Sequence, residues 1–322
     1  MSVYLFGLVS RSRRLFWALV KVMLPVMVAV RIGEALGLVE MAGHALAPVM
    51  NLLNLPPEAG LIWMATLFVG LYGGLGALIG FAPTLDLTVG QLSALASLMA
   101  FAHAIPVEQS IVRRAGASFW ATSVLRIGVA AVYAAMVGWT CRTFGWLSEP
   151  VSLAWLQGSD LAQSGQGGHL AWAQSTAFSL VVTYLIILAL LVLLDVLERL
   201  GVTRRITVLL TPILRVSGLD ARVAPVTTVG VLLGLTYGGA LIIEEARRQN
   251  FSTRTRFLAL SWLSLSHSLI EDTLLMLTLG ADVWVVLVGR VLMTMLVVAV
   301  LARCYRDEEP AGQQPVSAGA GT

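Results

Sequence analysis

Apolar residues dominate the chain in long runs, and glycine, proline or charge interrupts them at only a few points. A run at 15–30 recurs at 179–194, and each is followed by an amphipathic stretch around a proline, Pro48 or Pro212. A run of this length predicts a transmembrane helix, and the amphipathic stretch predicts a helix at the membrane surface. Four further apolar helices come in two equivalent pairs, beginning at about Gln91, Phe257, Ser118 and Asp282.

Two apolar segments carry a glycine cluster in their middle, at 71–76 and 235–239. Each could cross the membrane or turn back as a re-entrant hairpin, and arginines decide between these. Arginines lie on both sides of the second segment, at 199–222 and 247–256, whereas the flanks of the first are mainly acidic. Because arginines stay on the cytoplasmic side, both ends of the second segment face inward and those of the first face outward. The pattern predicts two re-entrant hairpins of opposite orientation, since glycine permits turned backbone at membrane depth.

The two halves of the chain repeat without a gap. At one offset of 164 residues, rare residue types coincide, and chance matching of leucine and valine does not explain them. The matched pairs are Glu34 and Glu198, Gly37 and Gly201, Pro48 and Pro212, Gly70 and Gly234, His103 and His267, Trp120 and Trp284, and Arg126 and Arg290.

These patterns predict an all-α integral membrane protein with an inverted structural repeat. It has about six transmembrane helices, two re-entrant helical hairpins and interfacial helices. The predicted division is a cytoplasmic N-terminal segment 1–14, a first repeat 15–142, an external linker loop 143–178, a second, inverted repeat 179–306 and a disordered cytoplasmic tail 307–322. The start resembles a signal peptide, but its apolar run recurs inside the chain, which favours a retained first span.

Composition agrees with a membrane location. The 322 residues are 57% hydrophobic and 12% charged, with a mean hydropathy of +0.84. The net charge of +3 is accounted for by arginines beside apolar spans, so we expect contact with the lipid bilayer and none with nucleic acid. We expect a multi-pass protein of the cell inner membrane with both termini cytoplasmic. No Walker loop, HExxH or GxSxG motif occurs, so the sequence does not predict an enzyme.

The second repeat contains a polar patch within an apolar run. If the segment is helical, Ser264, His267, Ser268 and Glu271 form one polar stripe, and Asp272 and Thr273 lie beside it. Polar groups inside a membrane protein form a substrate or ion site, or else hydrogen-bond neighbouring helices, and both interpretations stay open.

The first repeat keeps only part of the polar patch. His103 is retained, and Glu108 and Gln109 stand where the second copy has Asp272 and Thr273. Pro106 is expected to interrupt this helix. A broken helix frees carbonyls and amides beside the acid, an arrangement that transporters use to hold ions and polar groups.

One arginine lies inside the last span of each repeat, where an uncompensated charge is unfavourable by roughly 2.5 to 3.5 kcal/mol. We expect Arg126 to pair with Glu108, and Arg290 with Asp272 or Glu271, as structural or functional ion pairs.

The glycine clusters are also candidate binding elements. Tyr72 and Tyr237 lie within them, where a ring could stack on a base or fill the hairpin. The candidate residues at these tips are Tyr72, Gly73, Gly74, Tyr237, Gly238 and Gly239.

The motifs GLYGGLGA at 70–77, GLTYGGA at 234–240 and SLSHSLIEDT at 264–273 resemble those of nucleoside-recognition (Gate) domain proteins, which include the spore maturation A and B proteins. The resemblance covers nearly the whole chain and implies a nucleoside or nucleobase as solute. Gate domains also occur in ferrous iron permeases, which implies metal transport as an alternative.

Three functions stay open at this point. The first is a secondary transporter for a small polar solute, without a cofactor and with H⁺ or Na⁺ as the coupling ion. The second is a divalent metal permease, with His267, Glu271 and Asp272 as the candidate ligands. The third is an interaction subunit that does not transport. The sequence is compatible with a homo-oligomer and with a partner membrane subunit.

Overall fold

The computed structural model describes residues 2–156, 168–219, 222–233, 243–244 and 251–305. The helices of the first half are α1 (Ser2–Ala35), α2 (Leu38–Leu52), α3 (Pro57–Val69), α4 (Leu71–Phe81), α5 (Val89–Phe101), α6 (Ile105–Arg114) and α7 (Phe119–Phe144). Those of the second half are α8 (Gly168–Arg199), α9 (Val202–Val216), α10 (Ala224–Leu233), α11 (Thr253–Ser266), α12 (Leu269–Thr278), a π-helical segment (Trp284–Gly289) and α13 (Arg290–Cys304). The predicted all-α class is confirmed.

Helix bounds recur along the chain at the offset found in the sequence. Helices α2 and α9 each have 15 residues and follow a glycine with φ 69, Gly37 in one case and Gly201 in the other. The turns before the last helices also match, with φ 99 at Gly116 and φ 101 at Gly280. Because glycine adopts these left-handed angles without steric strain, the repeated glycines explain the repeated turns. The inverted orientation in a membrane stays a prediction.

Helices α3 and α4 form a tight hairpin that turns at Gly70. Its φ of 106 and ψ of −179 suit only glycine. A Cβ added at Gly74 would overlap the Thr66 hydroxyl, and one added at Gly73 would lie 2.6 Å from the Val69 Cβ. The turn therefore precedes the glycine cluster on which the prediction centred. Within that cluster, Gly73 and Gly74 face α3 and permit its close packing against α4. In the second half, Tyr237, Gly238 and Gly239 lie outside the described residues.

In the described part of the chain, four helical stretches are long and apolar enough to cross a membrane, against about six predicted. They are 89–114, 119–144, 170–197 and 284–304, and the pair 20–35 and 38–52, bent by 96°, raises the number to five. The stretch equivalent to 89–114 in the second half, formed by α11 and α12, carries two arginines and two acids that lower its hydropathy.

Two helices begin before the apolar runs from which their spans were predicted. Helix α1 already begins at Ser2, and α8 begins at Gly168, so part of the expected linker loop is helical. No proline lies in 2–24 or 168–199, so these stretches contain no residue that would end either helix. The tail at 307–322 lies outside the described residues.

The linker also contributes a short strand. Strands β1 (Leu87–Thr88) and β2 (Pro150–Val151) form an antiparallel pair, with Leu87 opposite Val151. This pair attaches the linker to the start of α5.

Helix α5 lies at the centre of the molecule and is buried along nearly all of its length. It packs against α7, the α3–α4 hairpin and α11, so its C-terminal end is enclosed by both halves of the chain. The buried end of α5 is where the polar residues of the two repeats meet.

Candidate functional site

Both polar segments are broken helices. The break between α5 and α6 places Ala104 at φ 45, and the break between α11 and α12 places Ser268 at φ 51. The sequence predicted an interruption only in the first copy, from Pro106. The second copy breaks without a proline, and the predicted continuous stripe from Ser264 to Glu271 is therefore wrong. Left-handed residues other than glycine are disfavoured by about 1–2 kcal/mol, so the surrounding contacts must hold both breaks in place.

The two buried arginines bind the carbonyls that the helix breaks leave open. Arg126 Nε donates to the Phe101 carbonyl at 2.8 Å, and Arg290 Nε donates to the equivalent Leu265 carbonyl at 3.0 Å. Arg290 Nη2 also reaches across to the Ala100 carbonyl of the first half at 2.8 Å. A helix end exposes unpaired carbonyls and a partial negative charge, and an arginine satisfies both.

The acids occupy the opposite sides of the breaks. Glu108 lies in the first turn of α6, and Asp272 lies in the first turn of α12. A helix start carries partial positive charge, which stabilises a carboxylate there. Both predicted ion pairs are present: Arg126 Nη1 contacts Glu108 Oε2, and Arg290 Nη1 lies 3.3 Å from Asp272 Oδ2.

The two histidines that are equivalent in the repeat lie in contact between the two halves of the chain. His103 Nε2 and His267 Nε2 lie 2.9 Å apart, and both rings are buried. Glu108 Oε1 lies 3.2 Å from the first Nε2 and 3.1 Å from the second. The three atoms form a small triangle that joins the halves of the chain, and we call it the His–His–Glu cluster.

The other ring nitrogens, the two Nδ1 atoms, face backbone carbonyls. His103 Nδ1 lies 3.0 Å from the Met99 carbonyl, and His267 Nδ1 lies 3.0 Å from the Leu263 carbonyl. A carbonyl only accepts hydrogen bonds, so each Nδ1 is assigned the proton. In the neutral rings, both Nε2 atoms therefore present lone pairs toward each other and toward the carboxylate.

Residues 180–282 match the family model Gate, described as nucleoside recognition. The match lies within the second half of the chain. This confirms the resemblance inferred from the motifs.

A full-length relative also matches. The chain is 26% identical over 321 residues to the uncharacterized membrane protein YvoD of Bacillus subtilis (strain 168), covering 96% of this chain and 97% of the relative. No solved structure matches. The Gate match, this relative and the apolar helices identify a multi-pass, transporter-like membrane protein. The inner-membrane location and the orientation of the termini stay predictions.

The range matched by the family model provides only part of the site. It contains His267 and Asp272, but His103, Glu108 and Arg126 come from the first half, and Arg290 follows the matched range. The site is therefore a property of the whole chain.

Several predicted residues have buried polar atoms without a partner. The Ser264 and Thr273 hydroxyls and Gln109 Nε2 are buried and make no hydrogen bond with any of the described residues. Gln109 and Thr273 are equivalent in the repeat. Thr122 donates to Gln109 Oε1 at 2.6 Å, so only one end of that amide is paired.

The remaining predicted residues lie at the edge of the site. The Tyr72 hydroxyl of the first hairpin donates to Glu271 Oε1 at 3.2 Å, and Glu271 is exposed. The backbone of Ala104 donates to the Thr66 carbonyl at 3.0 Å, so the hairpin binds the first helix break directly. Gly73 and Gly74 serve the packing of α4 on α3.

The structure groups the candidate metal ligands differently from the sequence. Among the described residues, the set that could hold a metal ion is His103, Glu108 and His267. The predicted set of His267, Glu271 and Asp272 is not brought together, because Asp272 faces Arg290 and Glu271 faces Tyr72. The helix break at Ser268 turns these two acids away from the histidine.

Sequence reasoning missed a group of hydroxyls around the site. Thr294 bonds Ser266 at 2.7 Å, and Tyr133 donates to the Val285 carbonyl at 2.7 Å in the π-helical segment. Thr294 follows Arg290 by four residues, and Thr122 precedes Arg126 by four. That helical spacing from a buried arginine is the signal that could have identified both threonines.

Proposed function

We propose that this protein is a permease that moves a small polar solute across the membrane by alternating access between its two halves. Nucleosides and nucleobases are the first class to test, because the matched family model is described as nucleoside recognition.

One observation carries the proposal: in the buried region of the two broken helices, three polar atoms have no hydrogen-bond partner among the residues that the structure describes. Ser264 Oγ and Thr273 Oγ1 belong to the second half, and Gln109 Nε2 to the first. An unpaired buried polar group is destabilising by about 1–3 kcal/mol, and native proteins contain few of them. A polar solute bound between the halves would supply the missing partners.

The architecture supports the same proposal. Broken helices from two repeats, joined by contacts between equivalent residues, are typical of transporters that alternate by moving one repeat against the other. The contact between His103 and His267 and the hydrogen bond from Tyr72 to Glu271 both cross between the halves. When the two halves separate, these contacts break. When the halves come together again, the contacts re-form and enclose the bound solute.

Uptake into proteoliposomes tests the proposal. The purified full-length chain is reconstituted, and entry of labelled nucleosides, nucleobases and then other small polar solutes is compared with that into empty liposomes. We expect saturable uptake of at least one solute, together with thermal stabilisation of the detergent-solubilised protein by that solute.

A pair of threonine variants locates the binding groups. Thr273→Val replaces a buried, unpaired hydroxyl with a methyl group of similar size, whereas Thr278→Val changes an exposed threonine of the same helix. We expect Thr273→Val to weaken solute binding roughly fivefold, corresponding to about 1 kcal/mol, without lowering the melting temperature of the free protein. Thr278→Val should bind as the parent does. Absence of uptake and of ligand stabilisation across the panel would instead support an interaction subunit.

A further inference from the structure

The His–His–Glu cluster has the composition of a cation site. Two imidazole nitrogens and a carboxylate oxygen converge at separations of 2.9, 3.1 and 3.2 Å. When both rings are neutral, with their protons on Nδ1, all three facing atoms are lone-pair donors. Such atoms repel one another unless a positive centre lies between them or above them.

The separations fit a transition-metal ion. Zinc binds imidazole nitrogen and carboxylate oxygen at about 2.0–2.2 Å, and tetrahedral angles then place neighbouring ligand atoms about 3.3 Å apart. The triangle is slightly smaller than this. An ion about 2.05 Å from each corner would lie roughly 1 Å out of the plane, with its fourth position open.

The hydrogen-bond partners of the three ligand side chains are of the kinds found at metal sites. Metal-binding histidines usually donate their second N–H to a backbone carbonyl or carboxylate, and metal-binding carboxylates are themselves hydrogen-bonded. His103 and His267 lie at donor distance from the Met99 and Leu263 carbonyls. Glu108 Oε2 is held by Arg126, which leaves Oε1 directed at the histidines. All three ligands are therefore oriented before any ion binds.

The repeat explains why the cluster has one carboxylate rather than two. The residue equivalent to Glu108 is Asp272, which is one methylene shorter, and its carboxylate pairs with Arg290. No contact between Asp272 and a histidine occurs among the described residues. The four buried charges, two arginines and two acids, cancel, so a bound ion would provide the net charge of the site.

We propose that a divalent first-row transition-metal ion binds between the two halves through His103 Nε2, His267 Nε2 and Glu108 Oε1. Two imidazoles with one carboxylate favour Zn²⁺, Fe²⁺ or Co²⁺ over Mg²⁺ and Ca²⁺, which prefer all-oxygen sites. Because the ligands come from both halves, binding holds the halves in contact. The inference deepens the proposed function, on which it rests for the role of the ion in transport but not for the binding itself.

Metal titration of the purified, chelator-treated full-length protein tests the site. Zn²⁺ and Co²⁺ are added with Mg²⁺ as the comparison ion, and binding is followed by calorimetry and by the shift in melting temperature. We expect one ion per chain and a response to Zn²⁺ and Co²⁺ but not to Mg²⁺.

Single variants identify the ligands. His103→Ala, His267→Ala and Glu108→Gln should each weaken Zn²⁺ binding by more than about 100-fold, since loss of outer-shell partners alone gives 10–100-fold. His44→Ala removes an exposed histidine of α2 and should bind as the parent does, which controls for adventitious surface binding. Glu108→Gln keeps the size of the side chain and an oxygen for Arg126, so it remains informative if a histidine variant fails to fold.

Three results would overturn the proposal. They are no Zn²⁺ response in the parent, unchanged affinity in His103→Ala and His267→Ala, or equal loss in His44→Ala. A site that holds only a shared proton would give the first result, with melting that depends on pH but not on metal. Metal binding without uptake of any solute would contradict the proposed function and leave the metal site intact, whereas uptake without metal binding would do the reverse.

Discussion

The hairpin of α3 and α4 gives a sharp test of the packing. Gly74→Ala adds a Cβ that overlaps the Thr66 hydroxyl and lies 3.0 Å from the Thr66 Cβ and 2.9 Å from the Met99 methyl group. The methionine end can move aside, but the threonine hydroxyl is held by its bond to the Ile62 carbonyl at 2.8 Å. The helices must therefore separate, or the threonine must leave its rotamer.

The expected magnitude follows from two opposing effects. Overpacking of this kind destabilises by up to about 3 kcal/mol, and alanine is a better helix former than glycine by about 1 kcal/mol. The net loss is about 2 kcal/mol, which lowers the melting temperature by roughly 3 °C in a chain of 322 residues. Thermal unfolding of the detergent-solubilised protein, followed by intrinsic fluorescence at one heating rate, measures the shift.

Two further variants make the test specific. In the double variant Gly74→Ala with Thr66→Ala, the hydroxyl is gone, and we expect recovery of at least half of the lost stability. Gly128→Ala is the matched control, because a Cβ there meets nothing within 4 Å, and it should be neutral or slightly stabilising. If Gly74→Ala melts with the parent, or if Gly128→Ala falls by the same amount, the close approach of α3 and α4 is refuted.

Two more predictions concern the second half. Arg290→Met leaves the Asp272 carboxylate buried without its partner, so we expect a loss of about 3–5 kcal/mol, seen as a reduced folded fraction in size-exclusion chromatography. Adding Asp272→Asn should restore part of that fraction, and no improvement would contradict the pairing. Gly289→Ala places a Cβ onto the Tyr133 hydroxyl and should lower the melting temperature by several degrees, at about 1–3 kcal/mol. Tyr133→Phe removes that oxygen and should recover most of the loss in the double variant; independent effects of the two changes would argue against the contact.

The sequence predicted the architecture well because its signals are local or repeated. Apolar runs and the glycines at Gly37 and Gly201 determine where helices begin and end, and these bounds recur at the predicted offset. The ion pairs of Arg126 and Arg290 were predictable because an arginine inside a span requires an acid nearby.

The details of the site could not be read in the same way. No proline near Ser268 indicates the helix break there, because tertiary contacts hold that residue in its left-handed conformation. The offset shows that His103 and His267 are equivalent, but only the packing shows that their Nε2 atoms lie 2.9 Å apart. Arginines hold both acids, and the side chain of Glu108 is longer than that of Asp272 by one methylene group. Glu108 therefore contacts the histidines with Oε1 while Arg126 holds its Oε2.

The arginines also imply an order of assembly during synthesis. Arg126 donates hydrogen bonds to Phe101 and Glu108, which are synthesised before Arg126. The first half can therefore pair its buried arginine without the second half. Arg290 donates to Ala100 as well as to its own half, so the second half needs the first as a template. The N-terminal half should therefore mature alone in the membrane, while a separately expressed C-terminal half should be degraded unless its partner is made in the same cell.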